Sequence, residues 1–249
     1  MKHIFYILAI LFSVSGIAQN DALFEKGNEL YNQGDYLQAI ETYKKILDTK
    51  NHSAELYFNL GNAYYKLNGV APSIYYYEKA LRLDPNDKDI LNNLAFAKNM
   101  TIDAIDTVPE AWTTKVVKKV ANYMTFDGWA KSAVVFVICF VVLFIVYDFA
   151  YASSKKRLAF IGSMVSLFLI VVSLALAFHK FGLDKNDRPA IVFAQESKVK
   201  AEPNSRSEES FLLHEGTKVQ ILDAVNDWKK IRLTDGKTGW ISNEDIKAL

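Results

Sequence analysis

The stretch that decides the fold is a pair of apolar runs, SAVVFVICFVVLFIVY over Ser132–Tyr147 and LAFIGSMVSLFLIVVSLALAF over Leu158–Phe178. Neither run contains a charged residue, and the polar break Ser153-Ser154-Lys155-Lys156-Arg157 lies between them. A helix needs roughly 20 apolar residues to cross a hydrocarbon core of about 30 Å. Because a backbone in lipid must pair its polar groups internally, the two runs predict a transmembrane helical hairpin with spans at residues 129–151 and 158–178.

Small side chains in the second span predict its contact with the first. They recur at the helical period and so fall on one face: Ala159, Gly162, Ser166, Ser173 and Ala177. Small residues let membrane helices pack backbone to backbone, so we expect this face to contact the first span. Asp148, at the loop end of the first span, is interpreted as an interfacial charge; an ionisable functional group inside the membrane is the alternative.

Residues 1–18 have the pattern of a secretory signal. Lys2-His3 precedes the apolar run Ile4–Phe12, and small residues lead to Ala18, after which cleavage is expected. An uncleaved anchor is the alternative. Either delivers the following segment across the membrane, and the hairpin returns the C-terminal segment to the same side. This predicts a two-span protein of the cytoplasmic (inner) membrane, with both flanking domains on the extracytoplasmic, periplasmic side.

The composition excludes several classes of function. Lys and Arg total 29 against 28 Asp and Glu, so the chain has no excess positive charge for nucleic acid as its main ligand. The four histidines are isolated, without metal-ligand spacing, and the sequence has no phosphate-binding glycine loop or nucleophile motif. We therefore expect no catalytic residues, no metal and no cofactor. An envelope enzyme whose reactive residues meet only in the fold is the alternative.

Internal periodicity organises residues 20–104. The segment ALFEKGNELY at 22–31 recurs as LYFNLGNAYY at 56–65, which places Gly27 and Gly61 34 residues apart. Apolar residues at helical spacing predict two helices in each unit. We divide this part into units at 20–53 and 54–87, followed by a capping helix at 88–104.

The unit resembles the tetratricopeptide repeat (TPR), since LGNAYY at 60–65 and ALRLDPN at 80–86 nearly match the family consensus. The resemblance implies an all-α solenoid whose concave face, lined by the first helix of each unit, binds peptides. On that face we expect Phe24, Asn28, Tyr31, Phe58, Asn62, Tyr65 and Lys66. The asparagines would hydrogen-bond the backbone of an extended protein partner. A solvated surface, or a contact with the same chain, is the alternative. Phe24 stands where carboxylate-clamping members have a basic residue, so capture of a C-terminal carboxylate is not expected.

A basic amphipathic helix is predicted at residues 107–126. The capping box Thr107-Val108-Pro109-Glu110 opens it. Its polar face carries lysines, and the helix begins with an aromatic residue suited to a membrane interface. We expect the residues at the bilayer surface to be Trp112, Lys115, Lys118 and Lys119. A packed helix that continues the repeat domain is the alternative.

Residues 187–249 change from helical to alternating periodicity. Apolar residues at Val219 and Ile221, and at Ile231 and Leu233, alternate with polar neighbours, and turn signals separate the runs. Short strands at this spacing predict a small all-β barrel. Trp228 and Trp240 are expected to supply much of its core.

VKAEP at 199–203 and GKTGWI at 236–241 resemble the bacterial SH3 domain. Domains of that family often bind cell-wall or peptide ligands, so the resemblance implies peptidoglycan as a candidate ligand, although no residue in the sequence fixes it.

The order of these segments resembles the BatE-type proteins of the bacterial aerotolerance (Bat) operon. That resemblance implies a membrane-anchored envelope protein that acts with von Willebrand factor A domain partners and a MoxR-type ATPase in oxidative or envelope stress tolerance. The sequence therefore predicts a multidomain protein with a TPR solenoid, a transmembrane hairpin and an SH3-like barrel. We interpret it as a non-catalytic scaffold whose repeats bind a protein partner. A peptidoglycan-binding or envelope-sensing module acting through the SH3-like domain is the alternative.

Overall fold

The computed structural model describes residues 19–105 and 111–249 and divides the chain into two compact units. Unit 1 combines Met1–Thr107 with Arg188–Leu249, and unit 2 is Val108–Asp187. The expected signal at 1–18 and the capping box that begins at Thr107 lie outside the described residues.

The first half of unit 1 is helical, as predicted. Its helices are α1 over residues 19–32, α2 Tyr36–Asp48, α3 Ala54–Lys66, α4 Val70–Leu83 and α5 Lys88–Lys98. The Ser53 side chain caps α3 by accepting from Leu56 N, and Asp87 caps α5 by accepting from Asp89 N and Ile90 N. Each cap pairs backbone donors that the helix leaves unpaired, so the sequence marks where these helices begin.

The two helices of each repeat pack around buried aromatic and aliphatic side chains. Tyr43, Leu60, Ile74 and Tyr77 are fully buried in this core. Helix α5 adds its own apolar face to the same core, and the described residues that follow it, 99–105, contain no helix. The last repeat of the solenoid therefore consists of its first helix, α5, and the described residues directly after it do not supply the second helix of a repeat.

The second half of unit 1 is an antiparallel β-sheet of the SH3-like class, which confirms the predicted architecture. Its strands, in the described residues, are β1 Pro189–Val192, β2 Glu196–Lys200, β3 Glu209–His214, β4 Lys218–Val225, β5 Trp228–Arg232, β6 Thr238–Ser242 and β7 Ile246–Ala248. They pair in the order β3-β2-β6-β5-β4-β1-β7. The alternating Val219 and Ile221 face the buried core, together with Ile231 and Ile241.

The expectation that Trp228 and Trp240 fill the barrel core is wrong. Both are half-buried and outside the buried apolar cluster. Successive side chains of a strand point to opposite faces. Ile231 and Ile241 occupy the inward positions of β5 and β6, and the register pairs Trp240 with Lys230 on the opposite face. Aliphatic side chains therefore fill the interior, and the indoles lie on the outer side of the sheet.

The repeats and the barrel share an apolar junction. Ile191 of β1 is fully buried and belongs to the core of the repeats. Gly216, in the turn between β3 and β4, has a φ of +86°, and a Cβ atom there would lie 2.9 Å from Val70 Cγ1 and 3.0 Å from Ile74 Cδ1. The turn needs glycine for its backbone conformation and again for its close approach to α4.

A buried carboxylate and a half-buried one complete this junction. Glu78 of α4 accepts from Lys98 Nζ at 3.0 Å and from Lys218 Nζ of β4 at 2.6 Å. Asp103 accepts from His214 N at 2.7 Å and from Thr217 Oγ1 at 2.6 Å, and its second oxygen lies 2.7 Å from His214 Nδ1. Lys218, His214 and Thr217 belong to the barrel, whereas the two carboxylates belong to α4 and to the segment after α5. Each carboxylate therefore ties the repeat half of unit 1 to the barrel.

The same contacts make the junction depend on pH. Burial acts to raise the pKa of the Glu78 carboxyl, but Lys218 and Lys98 outweigh it and hold that pKa below its ordinary value. For Asp103, hydrogen bonds from Thr217 and His214 likewise outweigh burial and lower the pKa. A carboxyl with a lowered folded-state pKa stabilises the fold above its unfolded pKa, about 4, and loses that contribution as the pH falls through the lowered value.

Unit 2 contains three helices in its described part, α6 Trp112–Ala121, α7 Phe126–Phe149 and α8 Ser153–Asn186. Among the described residues, α7 and α8 are the two helices long and apolar enough to cross a membrane. At 1.5 Å per residue they are about 36 and about 51 Å long.

Helices α7 and α8 form an antiparallel hairpin through the predicted face. The Phe126 and Phe181 rings meet at one end, with centroids 5.6 Å apart, and Tyr147 meets Phe160 at the other at 5.7 Å. The buried side chains of α8 are Ala159, Ser163, Ser166, Ser173 and Ala177. A Cβ at Gly162 would lie 3.1 Å from Leu143 Cδ1 of α7. The prediction of a small-residue contact face is confirmed, with Ser163 added to it.

Helix α6 packs on the start of the hairpin. Trp129 Nε1 donates to the Ala121 carbonyl at 3.1 Å, and Lys180 Nζ donates to Asn122 Oδ1 at 2.9 Å. Trp112 remains 75% exposed. Since α6 belongs to unit 2, the alternative in which it continues the repeat domain loses support. Contact of Trp112 and the α6 lysines with a bilayer stays a prediction.

Candidate functional site: the groove of the first helices

The groove is built on α1, α3 and α5, and two glycines set how closely the second helices approach it. A Cβ at Gly27 would lie 2.3 Å from Tyr43 Cε1, and one at Gly61 would lie 2.6 Å from Tyr77 Cδ1. Each tyrosine ring therefore contacts the first helix of its repeat at a position where no side chain intervenes. The same arrangement occurs in both units because the residues recur at an offset of 34.

These tyrosines hold the predicted groove asparagines. Tyr43 Oη donates to Asn28 Oδ1 at 2.8 Å, and Tyr77 Oη donates to Asn62 Oδ1 at 2.7 Å. Burial raises the pKa of Tyr43 to about 12 and also raises that of Tyr77. Both hydroxyls therefore remain protonated donors across the physiological pH range.

A second pair of asparagines extends these bonds from one first helix to the next. Asn59 Nδ2 donates to Asn28 Oδ1 at 2.9 Å, and Asn93 Nδ2 donates to Asn62 Oδ1 at 2.8 Å. We call Asn28, Asn59, Asn62 and Asn93 the asparagine ladder. Sequence reasoning missed Asn59 and Asn93, although they recur at the 34-residue offset and so carried a signal.

The ladder fixes which atoms of the groove asparagines can bind a ligand. Both Oδ1 atoms already accept two hydrogen bonds, whereas Nδ2 of Asn28 and of Asn62 has no hydrogen-bond partner among the described residues. An amide carries two N–H donors on that nitrogen. The groove therefore offers two half-buried, pre-oriented donor groups one repeat apart.

The predicted aromatic residues pack beside the ladder. The Phe24 ring lies 6.0 Å from Tyr43, and Phe58 lies 6.0 Å from Tyr77, with interplanar angles of 48° and 49°. Their positions are half-buried, as are those of Tyr31 and Tyr65, so part of each ring packs on the core. Lys66 is exposed in the last turn of α3.

One cluster in unit 1 contains the side-chain types of a catalytic site. In it, however, the Thr217 hydroxyl and the His214 backbone N–H both donate to Asp103, and the His214 ring contacts the same carboxylate. A catalytic hydroxyl would donate its hydrogen bond to the base, here the His214 ring, rather than to the carboxylate that orients the base. This arrangement suits a structural junction. In the described residues, no group of three or more His, Cys, Asp or Glu side chains could hold a metal ion.

Comparisons with known proteins find repeat models in the helical part of unit 1 and a bacterial SH3 domain model in its β part. Residues 27–68 match a TPR repeat model, 54–87 match a tetratricopeptide repeat model, and 197–247 match a bacterial SH3 domain model. The chain is also 26% identical to the Photosystem I assembly protein Ycf3 of Synechococcus sp. (strain CC9605) over 125 residues. That match covers 44% of this chain and 72% of the relative.

Gly61→Ala tests the contact on which the groove is built. Overpacking against the buried Tyr77 ring lowers the free energy of unfolding by about 1–3 kcal/mol, and loss of the Tyr77 hydrogen bond to Asn62 lowers it by about 1 kcal/mol. The higher helix propensity of alanine raises it by about 1 kcal/mol. We expect a net loss of about 1–3 kcal/mol in the free energy of unfolding, measured by chemical denaturation with tyrosine near-UV circular dichroism.

Gly182→Ala is the matched control, because Gly182 is also helical and a Cβ there would have no heavy atom within 4 Å. It should leave the tyrosine signal of the repeats unchanged. Equal stability of Gly61→Ala and the native chain would contradict the described packing.

Proposed function

We propose that this chain, with its tetratricopeptide repeats and bacterial SH3 domain, is a non-catalytic scaffold anchored in the cytoplasmic membrane, whose repeat groove binds an extended segment of a protein partner in the cell envelope. The observation that carries the proposal is the pair of Nδ2 donors on Asn28 and Asn62, held by identical hydrogen bonds one repeat apart.

An extended peptide is the ligand that these donors suit. Its backbone carbonyls accept hydrogen bonds whatever its sequence, so two fixed donors give affinity, and neighbouring side-chain contacts give selectivity. The exposed parts of Phe24 and Phe58 lie beside the donors and suit apolar side chains, as do those of Tyr31 and Tyr65. Lys66 adds a positive charge and favours an acidic residue in the bound segment.

The proposed membrane anchor is the α7–α8 hairpin. Its length, its apolar surface and its small-residue contact face all suit helices packed in lipid. Unit 1 is built from chain before and after the hairpin, which supports a topology with both flanks on one side of the membrane. Lys155, Lys156 and Arg157, in the first turns of α8, favour the cytoplasm for the other side, and α6 would lie on the bilayer through Trp112 and its lysines.

The comparisons support a role in holding other proteins together. The similar protein from Synechococcus is named for the assembly of photosystem I. The order of modules resembles that of BatE-type proteins, which suggests von Willebrand A-domain membrane proteins as partners and stress or oxygen tolerance as the setting. Such a role needs binding surfaces and no catalytic group.

Replacing the two asparagines by aspartate tests the groove without breaking the ladder. In Asn28→Asp/Asn62→Asp, a carboxylate oxygen still accepts from the tyrosine and the neighbouring asparagine, but the Nδ2 donors are gone. Each lost bond costs about 1 kcal/mol, so we expect partner affinity to fall by about tenfold to a hundredfold. The measurement is in-cell crosslinking followed by quantification of co-purified proteins.

Asn92→Asp, on the exposed surface of α5, is the matched control and should retain the partners. An unchanged set and yield of crosslinked proteins in the double variant would contradict the groove assignment.

A second candidate function, peptidoglycan binding by the barrel, is favoured by a cleft of about 450 Å³. Residues 102–105 form one wall, and the other residues that line it include Phe211, Leu212, Asp235 and Lys237. Its volume lies within the range of about 300–1,000 Å³ for small-ligand sites. Apolar side chains line the cleft together with the ion pair of Asp235 and Lys237, which are 3.1 Å apart. This mixture suits a short peptide that carries apolar and charged groups.

Leu212→Arg tests the cleft, because this 40% exposed side chain lines it and an arginine would fill it. If the cleft binds peptidoglycan, the full chain should sediment with purified sacculi and Leu212→Arg should remain in solution. Leu91→Arg, at a 45% exposed position on α5, is the control. Equal sedimentation of both variants, or no sedimentation of the native chain, would exclude this function.

A further inference from the structure

Unit 1 carries a row of three lysines outside the groove. They are Lys44 of α2, Lys79 of α4 and Lys247 of β7, and we call them the lysine row. Each ammonium group lies over the face of an aromatic ring. Lys44 Nζ, for example, is 5.5 Å from the centroid of Tyr64. Such contacts orient a cation without neutralising its charge.

The other two lysines share one ring. Lys79 Nζ lies 4.8 Å from the centroid of Tyr57 and 5.2 Å from that of Tyr75. Lys247 Nζ lies 4.6 Å from the same Tyr75 ring. The two ammonium groups are therefore no more than 9.8 Å apart, the sum of 5.2 and 4.6 Å. One lysine comes from the repeats and the other from the barrel, so the row exists only where the two are docked.

In the described part of the chain, the lysine row forms no ion pair with a carboxylate. Among the described residues, no carboxylate lies within ion-pair distance of Lys44, Lys79 or Lys247, whereas Lys98 and Lys218, also at the junction, both contact Glu78. Burial and the neighbouring Lys247 lower the pKa of Lys79, and burial and Lys44 lower that of Lys247. Like charges are thus held together at a cost that an anion would relieve.

The arrangement also indicates the form of the anion. Lys44 lies over Tyr64 and the other two lysines over Tyr75, and Tyr76 contacts both of these rings, with centroids 5.6 and 5.2 Å away. Charges spread over neighbouring rings suit several carboxylates along an extended chain better than one phosphate. Tyr57 and Tyr75 are only 4% exposed and have cations over their faces, so nucleic acid bases have no open ring on which to stack.

We propose that the lysine row is a second binding surface, and that it takes an extended acidic segment of a protein partner. It lies on α2, α4 and β7, while the groove lies on α1, α3 and α5, so the two surfaces are built on different elements. The proposal does not depend on the groove. One partner with an acidic stretch, or two different partners, would satisfy it.

The test uses the full chain in uncharged detergent micelles and fluorescein-labelled octaglutamate, with labelled octaglutamine as the neutral control. Binding is measured by fluorescence anisotropy at low and high salt. We expect octaglutamate to bind, octaglutamine not to bind, and the affinity to fall with salt, because the row is partly exposed to solvent.

Lys79→Gln/Lys247→Gln should weaken octaglutamate binding about tenfold, since each exposed charge contributes a modest part of the affinity. Lys79→Arg/Lys247→Arg keeps the charges and should bind as the native chain does. Lys230→Gln is the matched control, because Lys230 also lies over an aromatic ring, 6.0 Å from the Trp240 centroid, but outside the row.

Three outcomes would overturn the proposal. The first is equal binding of octaglutamate by the native chain and the double glutamine variant. The second is displacement of octaglutamate by equimolar sn-glycerol 1-phosphate, which would indicate a phosphate or lipid-headgroup site. The third is weaker binding in the Asn28→Asp/Asn62→Asp variant alone, which would place the acidic peptide in the groove.

Discussion

The arrangement of unit 1 depends on the ion pairs that the Glu78 carboxylate forms with Lys98 and Lys218. The Glu78 side chain is only 9% exposed, and a buried charge is tolerated when paired and hydrogen-bonded. Lys98 of α5 and Lys218 of β4 supply that pairing from the repeats and from the barrel. In the described chain no second helix follows α5 in unit 1, and the barrel instead packs on α4 and contributes Ile191 to the core. The SH3-like domain thus helps to close a short solenoid as well as forming a domain of its own.

This junction connects the proposed functions. The hairpin is inserted in sequence between two parts of one compact unit, so the proposed membrane anchor and the proposed binding surfaces lie on one continuous chain path. The groove with its asparagine ladder belongs to the repeats alone, whereas the lysine row requires both modules. A partner that engages both would bind the docked unit better than either module, which is the property expected of a scaffold.

Local periodicity accounts for what could be predicted from sequence. The 34-residue offset predicted the paired helices, and the spacing of small residues predicted the face of α8 that meets Leu143. Contacts between distant segments leave no such pattern. Asp103 meets His214 across 111 residues, and nothing periodic links them. The prediction for Trp228 and Trp240 was wrong because it relied on side-chain size alone. Ile231 and Ile241 point into the core, and the alternation of side chains along β5 and β6 then places both tryptophans on the opposite, outer face.

A double-mutant cycle of Glu78→Gln and Lys218→Met tests most directly whether the repeats and the barrel form one unit. It compares the free energies of unfolding of the full chain, both single variants and the double variant. Residues in one salt-bridge network couple by about 0.5–3 kcal/mol, and we expect a value in that range. The exposed pair Lys198 and Glu209, 3.1 Å apart, is the control and should couple only weakly. A coupling energy for Glu78 and Lys218 that is indistinguishable from zero would contradict the docked arrangement.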